Sequence, residues 1–576
     1  MALIPEPAAP SEIDVTYDPR PWSALTKWAL TLIGVAHFIA LSLVAIQAVS
    51  LIDHDGIAYI RIATYYLHRQ WHLAVSGYWG PLFSWFMIPL QLATGDPQIA
   101  ARVAMMLSAM LFYAAALVFF RTIRLPQLAV VLGALGMAVM SISSSANNET
   151  PDLLLSALSI VTLSILITDR WADRRPLQVL AGVLWGLCYL TKAIALPWGI
   201  ASTIAIGFLW WLAGLRRPRA IAAAVAVTIA AQLVVAAPWI AVLSHRYGHF
   251  VFSTTARIAH ATVGPWELNR NNPYQHDIHR FHQVLLRIEK PEPGRITSWE
   301  DPPETQYTDW SPFANRTFFR HQLDIIWMNA LISVRYLTRF DTISLSTAGF
   351  IAVFCLVPFK RETLARQRWR WVAVPMLILV LAYLPVYSGS FRYFLPLAIP
   401  MVTFGYYAVL IASQRAFGNR PLALTALTVV ALMSTIAGWV PAAEYAVGAP
   451  ITLVQRSSMW ALPLAHRLET IGVAGPVVGG ASITGAHLGL FTAFAMNQPW
   501  YGEVLRPTPE VYRDSGADLI FVVRYTSIAR RIQGQPWAED LDPMLFTADE
   551  TRKCPVKVFR IRKEMLTSPR GTPARY

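Results

Sequence analysis

Charge is scarce in this chain. Only 14% of its 576 residues are Asp, Glu, Lys or Arg, while 55% are hydrophobic, and the mean hydropathy is +0.42. That balance excludes an ordinary set of soluble domains, because the surplus apolar surface would face water. Cysteine is scarcer still. Cys188, Cys355 and Cys554 are scattered with neither metal-ligand nor redox spacing, which argues against a disulfide scaffold or a thiol-based centre. Acidic residues are outnumbered 34 to 48 by basic ones, for a formal charge of +14. The surplus does not point to nucleic acid. Its Lys and Arg sit in short clusters between apolar runs, the pattern of membrane topology with some positive charge left over for an anionic substrate or lipid.

What the chain has in quantity is long apolar runs. A polar, proline-containing segment, Met1 to Pro21, precedes a run from about Ala24 to Val49 that exceeds a signal-peptide core and carries no persuasive cleavage site. It reads as a retained span. A hydrocarbon core of ~30 Å takes about 20 apolar residues per helix. Similar runs recur near 100–120, 128–146, 152–168, 177–195, 196–213, 220–243, 343–358, 371–387, 393–412 and 421–441, for about eleven spans in all.

The loops alternate in charge. Arg20 and Lys27, Arg121 and Arg124, Arg170, Arg174 and Arg175, Arg216, Arg217 and Arg219, Lys360 to Arg370, and Arg415 and Arg420 fall on one side. The opposite connections are poor in positive charge: 141–151 has none, 191–197 only Lys192, and 387–392 only Arg392. By the positive-inside rule, residues 1–23 are cytoplasmic and everything after about 441 is outside. The expectation is a multi-pass protein of a bacterial inner membrane, with a transmembrane domain over 24–444, outer loops at 51–99 and 244–341, and an extracytoplasmic domain over 445–576.

Within the first outer loop, Pro81 to Leu92 is too short and proline-broken to span, so an interfacial amphipathic helix is expected, flanked by Trp71, Tyr78, Trp79 and Trp85. The second loop carries Trp266, Tyr274, Trp299, Tyr307 and Trp310, too many aromatics for a solvated linker, and is expected to fold over the outer cavity. Its histidines, His245, His249, His260, His276, His279 and His282, are too irregular for a zinc site. The tail reads as a small α/β module, with strands over Pro476–Gly480, Asp518–Arg524 and Val556–Ile561 and a helix near His487–Met496. Val477-Val478-Gly479-Gly480 is no dinucleotide fingerprint.

Chemistry is expected where carboxylates meet the membrane surface. Directly after the first span comes Leu51-Ile52-Asp53-His54-Asp55-Gly56-Ile57-Ala58-Tyr59. A bare D-x-D is a weak signal, and either aspartate could simply cap the next helix; its position at the outer lip raises its weight. Asp152 stands just before an apolar run and invites the same cap reading, while Lys192 and Arg392 could be snorkelling side chains.

With the aromatic stretch Gly77-Tyr78-Trp79-Gly80-Pro81-Leu82-Phe83-Ser84-Trp85 the pattern becomes more specific. Asn147-Asn148-Glu149-Thr150-Pro151-Asp152, Tyr189-Leu190-Thr191-Lys192 and Phe391-Arg392-Tyr393-Phe394-Leu395-Pro396 follow in register. The chain resembles the GT-C superfamily of lipid-phosphate-sugar-dependent glycosyltransferases, in particular the protein-mannosyltransferase-like and aminoarabinose-transferase-like branch. The likeness covers about residues 24–200 well and the rest by architecture.

The resemblance implies an all-α polytopic membrane domain of GT-C type with the small extracytoplasmic α/β domain behind it. It also implies inverting transfer of a sugar from a polyprenyl-phosphate donor to a hydroxyl of a glycan, lipid or protein acceptor. Asp55, four residues before Tyr59, is then the expected general base with Asp53 in reserve. Asp152 and Glu149 are the second acidic, acceptor-orienting pair, and Lys192, Arg392 and Arg61 hold the donor phosphate. Relatives often carry a second acidic residue directly after the base, where this chain has Gly56. Asp53, His54, Asp55 and Asp152 could ligate a divalent cation, but Lys and Arg suffice for a monophosphate and the branch resembled works without metal, so no cofactor is expected. The competing reading, a transporter or flippase of lipid-linked saccharide, calls for mid-helix charges in broken, repeated segments, and the sequence does not display these.

Overall fold

A computed structural model describes residues 20–265, 290–303, 308–338, 345–356, 360–386, 390–417, 420–447, 458–480, 483–504 and 508–566. Most of the polar N-terminal segment lies outside them, as do Trp266, Tyr274, His276, His279, His282 and Tyr307. In chain order, α1 (Ala24–Gln47) leads through α2 (His54–Leu67) and α3 (Pro81–Thr94) into α4 (Pro97–Thr122), α5 (Gln127–Asn147), α6 (Asp152–Leu166), α7 (Arg175–Thr191), α8 (Ala195–Leu212) and α9 (Pro218–Tyr247). Beyond the second outer region come α10 (Arg316–Leu337), α11 (Leu345–Leu356) and α12 (Ala373–Tyr383). A 3-10 turn, Phe391–Leu397, then opens α13 (Ala398–Phe417), which α14 (Arg420–Ala446) follows.

Each expected apolar run falls on a helix. Among the described residues, α1, α4, α5, α8, α9 and the stretch Phe391–Ala416 are long and apolar enough to cross a membrane; α6 and Pro421–Met433 are apolar but shorter. The chain is a multi-pass membrane protein. Helices α7 and α12, of 17 and 11 residues, are shorter than their apolar runs suggested. Pro176 fixes the start of α7, and α12 stops ahead of Pro385, which has no backbone N–H to continue the helical ladder. Charged residues of these connections pair across neighbouring helix ends. Arg216 pairs with Asp173 at 2.6 Å, Arg368 with Asp169 at 2.5 Å, and Arg121 donates to the Arg20 carbonyl, all at the end remote from α2.

One element was not legible in the apolar pattern. Helix α10 turns Gln322, Ile325, Asn329 and Ser333 inward and Phe319, Leu323, Trp327, Leu331 and Val334 outward. This inverts the polarity of a water-soluble helix, and Arg316, Arg320 and Arg335 dilute its hydropathy. The buried Asn329 amide donates to the Leu384 carbonyl, satisfying the frayed end of α12. Helix α3 stands where a helix over Pro81 to Leu92 was expected, and it supports α2. Its Ser84 hydroxyl donates to the Tyr59 carbonyl and its Gln91 amide to that of Ile60, so α3 lies beneath α2.

The tail forms a five-stranded sheet, ordered β2-β1-β3-β5-β4. Strands β1 (Val477–Gly480), β2 (Trp500–Val504) and β3 (Leu519–Val523) run parallel, while β5 (Val556–Ile561) is antiparallel to both β3 and β4 (Ala538–Asp540). Helices α15 (Ala461–Thr470) and α16 (Ile483–Ala495) cover one face. Their apolar cluster does not close on itself, because Ile52 and Ile57 of the first outer loop and Ile296 of the second are packed into it. The tail therefore rests on the residues that flank the D-x-D.

Glu503 on β2 is buried, and desolvation raises its carboxyl from 4.5 to about 8. The native state thus holds a proton that the unfolded chain releases, so this group's contribution to stability is present at low pH and is lost as pH rises from about 4.5 to 8. Glu503→Gln is expected to flatten the fall in Tm over that interval in detergent; an unchanged slope would show that Glu503 is solvated.

Candidate active site

The backbone at the lip is set by what cannot fit. Asp53 occupies the N-cap position of α2 in extended conformation, φ −104°, ψ 138°, yet its side chain makes no capping bond. Asp152, first residue of α6, makes none either. The capping role that either sequence position allowed is unused, and both carboxylates turn to cations. Position 56 has no room for a side chain: a Cβ there would lie 2.6 Å from the Glu149 Cβ and 2.7 Å from its Oε2. Glu149 fills the space beside Gly56 and accepts the Asp53 backbone N–H at 3.3 Å. The acidic residue absent after Asp55 is thus replaced in space by one from the α5–α6 connection.

Four segments meet here. Arg392, on the 3-10 turn before α13, places Nη2 on Asp55 Oδ2 and Nη1 at 3.4 Å from Asp53 Oδ2, with Nε 3.9 Å from Asp152 Oδ2 and unbonded. Lys192, at the C-cap of α7, holds Asp152 Oδ1 at 2.5 Å and stands 4.4 Å over the Tyr393 ring. Thr150 donates to Asp152 Oδ2 at 2.7 Å. The α7 terminus can approach because residue 80 is glycine: a Cβ there would lie 2.5 Å from the Leu190 and Thr191 carbonyl oxygens. Neither Lys192 nor Arg392 snorkels; both are largely buried and ion-paired.

His54 bridges the aspartates, with Nδ1 3.3 Å from Asp53 Oδ1 and Nε2 3.2 Å from Asp55 Oδ1. Trp299, from the second outer region, donates its indole N–H to Asp55 Oδ1 at 2.9 Å. Burial alone would raise the Asp55 carboxyl, but Arg392, His54 and the Trp299 N–H together hold it well below the usual carboxylate range. Desolvation pulls the His54 imidazole down, yet Asp55 and Asp53 outweigh it and raise its pKa to about 9. Glu149 behaves in the opposite way. Burial raises it to about 7 against the pull of Arg102, whose Nε lies 3.2 Å from Oε1, and Gln98 donates to the same oxygen at 2.5 Å.

The structure thus gathers Asp53, Asp55, Asp152, Lys192 and Arg392, with Glu149 behind Asp53. Arg61 is not among them. Six residues past Asp55 it lies on another face of α2, where it donates to Asn497 Oδ1 at 3.0 Å and the Gly294 carbonyl at 3.2 Å. It joins α2 to the tail. Trp299 and His487, the latter stacked on His54 at 5.6 Å, come from more than two hundred residues away with no local signal. His54 stood in plain sight between the aspartates, where its flanking charges were the available clue.

Gly56→Ala is expected to push Glu149 off the Asp53 N–H and lower the Tm. Overpacking of this kind costs about 1–3 kcal/mol. An unchanged melting curve would mean that the 148–151 connection yields freely.

The sequence matches the model of Glycosyltransferase family 87 over residues 78–281. No curated protein is significantly similar in sequence. In fold the chain is similar to ArnT from Cupriavidus metallidurans bound to undecaprenyl phosphate, with 14% identity and a TM-score of 0.53 over 95% of this chain and 100% of that one. Against the apo state of ArnT the identity is 15% and the TM-score 0.51, with the same coverage. The arabinofuranosyltransferase AftD from Mycobacteria is 14% identical with a TM-score of 0.46, covering 95% of this chain and 40% of that one. The chain is thus a multi-pass membrane protein with the fold of ArnT along nearly its whole length, and its residues 78–281 are similar to a glycosyltransferase family.

Proposed function

We propose that the protein is an inverting glycosyltransferase that moves a sugar from a polyprenyl-phosphate donor to a hydroxyl of an acceptor at the outer face of a bacterial inner membrane. The observation that carries this reading is Arg392 gripping Asp55 and Asp53 while Lys192 grips Asp152. A carboxylate for the acceptor proton and cations for a phosphate stand in one cleft. The undecaprenyl phosphate bound by ArnT supports the donor class.

In the reaction, the acceptor oxygen attacks the anomeric carbon and the bond from that carbon to the phosphate oxygen breaks. The proton passes to Asp55, and the lipid phosphate leaves with one more negative charge. Arg392, whose Nε is an unbonded donor, and Lys192 receive that charge. Asp53 is the reserve base. Asp152 holds Lys192, and Glu149 orients Asp53. Arg61 serves the tail interface in place of the phosphate role first expected of it. The acceptor is a cell-envelope glycan, lipid or protein presented from outside, where the 445–576 domain stands over α2. Arg392 and Lys192 are the cations proposed for the phosphate, and no metal cofactor is assigned.

The test is transfer of label from a panel of radiolabelled polyprenyl-phosphate sugars by membranes carrying wild type, Asp55→Asn or Asp53→Asn, with and without chelator. Asp55→Asn is expected to lose the ~10²–10⁴-fold that a general base supplies, with Asp53→Asn milder and chelator without effect. Full activity in both variants would make the acidic lip structural, and loss on chelation would bring in a metal.

A further inference from the structure

The two oxygens of Asp55 are held by different kinds of partner. Oδ2 meets the Arg392 guanidinium. Oδ1 takes the Trp299 N–H at 2.9 Å and faces His54 Nε2 at 3.2 Å. Trp299 rides on residues 290–303, a strap fastened along its length. Glu300 accepts Tyr65 of α2 at 2.6 Å and closes a capping box with Thr297. Asp301 accepts the Ser76 hydroxyl, the Gly77 N–H, the Tyr247 hydroxyl and Arg246. Trp79 donates its indole N–H to the Trp299 carbonyl at 2.8 Å. On the other side, the Ile296 carbonyl accepts the Trp500 N–H at the start of β2, and the Ile296 side chain lies in the apolar cluster of the tail. The Trp299 ring rests between Tyr78 and Trp79, with centroids 5.0 and 5.8 Å away.

A side chain fixed at this many points does not leave when a substrate arrives. Arg392, by contrast, contacts a group that an incoming phosphate can replace, since a guanidinium suits a phosphate as well as a carboxylate. We propose that Trp299 is a positioning residue: with His54 it pins Oδ1 of Asp55, so that Oδ2, released when Arg392 turns to the donor phosphate, is the atom that takes the acceptor proton. The tail domain enters the reaction through this strap, because β2 holds Ile296 three residues from Trp299. The inference rests on the donor assignment above, which supplies the phosphate.

The decisive variant replaces the Trp299 indole with its benzothiophene isostere, which keeps the ring and removes only the N–H; Trp299→Phe is the second. A hydrogen bond to a charged group is worth about 1.5–3 kcal/mol, so kcat is expected to fall on the order of tenfold to a hundredfold. KM for the lipid donor should stay put. The acidic limb of kcat against pH should move to higher pH, because losing a donor to the ionised form makes Asp55 easier to protonate. A merely structural tryptophan would leave that limb where it is. Wild-type kcat and limb in the isostere, or a loss carried in KM alone, would overturn the proposal. Wild-type turnover in the same series tests the donor assignment separately: a wild type that transfers no sugar overturns that assignment and this inference with it, whereas an active wild type matched by its isostere overturns the inference alone.

Discussion

The site depends on one ion pair that joins residues 337 positions apart, Arg392 to Asp55. Removing two charges from water at a membrane edge is costly, and breaking a buried pair by deleting one partner is costlier still. The cost of exposing either charge alone fixes where the turn before α13 can sit relative to α2. Asp152 and Lys192 repeat the constraint between α6 and α7. A pair of apolar residues would hold these helices together at least as well. That charges stand here instead argues that the cleft is kept for an ionic ligand, because intramembrane ionisable groups are rarely retained for packing alone.

The rest of the architecture brings these charges within reach of each other. Gly56 and Gly80 remove the atoms that would hold Glu149 and the end of α7 away. Helix α3 supports α2 through Ser84 and Gln91 at the carbonyls of Tyr59 and Ile60. From above, the tail buries Ile52 and Ile57 on either side of the aspartates, so the loop carrying the motif is clamped between the membrane helices and a sheet four hundred residues further along the chain. Two short outer segments and a distant domain thus build one surface.

Much of this was legible in the sequence, and the division is physical. Spans announce themselves by composition, because hydrocarbon demands about 20 apolar residues in a row. The charges at their ends stand out against that background, which is how Asp53, Asp55, Asp152, Lys192 and Arg392 could be named. Arg61 lies close in sequence to Asp53 and Asp55 but on another face of α2. Helix α10 escaped because its apolar side looks outward and its polar side inward. Strands β2 and β4 are too short and mixed to show a period. Trp299 and His487 reach the site only through tertiary folding, and no local pattern marks an indole that will donate to a carboxylate more than two hundred residues away.

The charge balance of the cleft limits how it can work. Asp53, Asp55 and Asp152 face Arg392, Lys192 and His54, whose imidazole the two aspartates raise above its ordinary pKa. Among the described residues of the cluster each carboxylate faces a cation, so the donor phosphate proposed above would have to compete for a cation already engaged. Lys192 is held by Asp152, which Thr150 also fixes. Arg392 is the looser of the two, with one nitrogen unbonded and the others divided between two aspartates. A donor phosphate that took Arg392, as proposed above, would withdraw the largest influence that lowers the Asp55 carboxyl. On the function proposed above, binding of the leaving group and readiness of the base would then be one event.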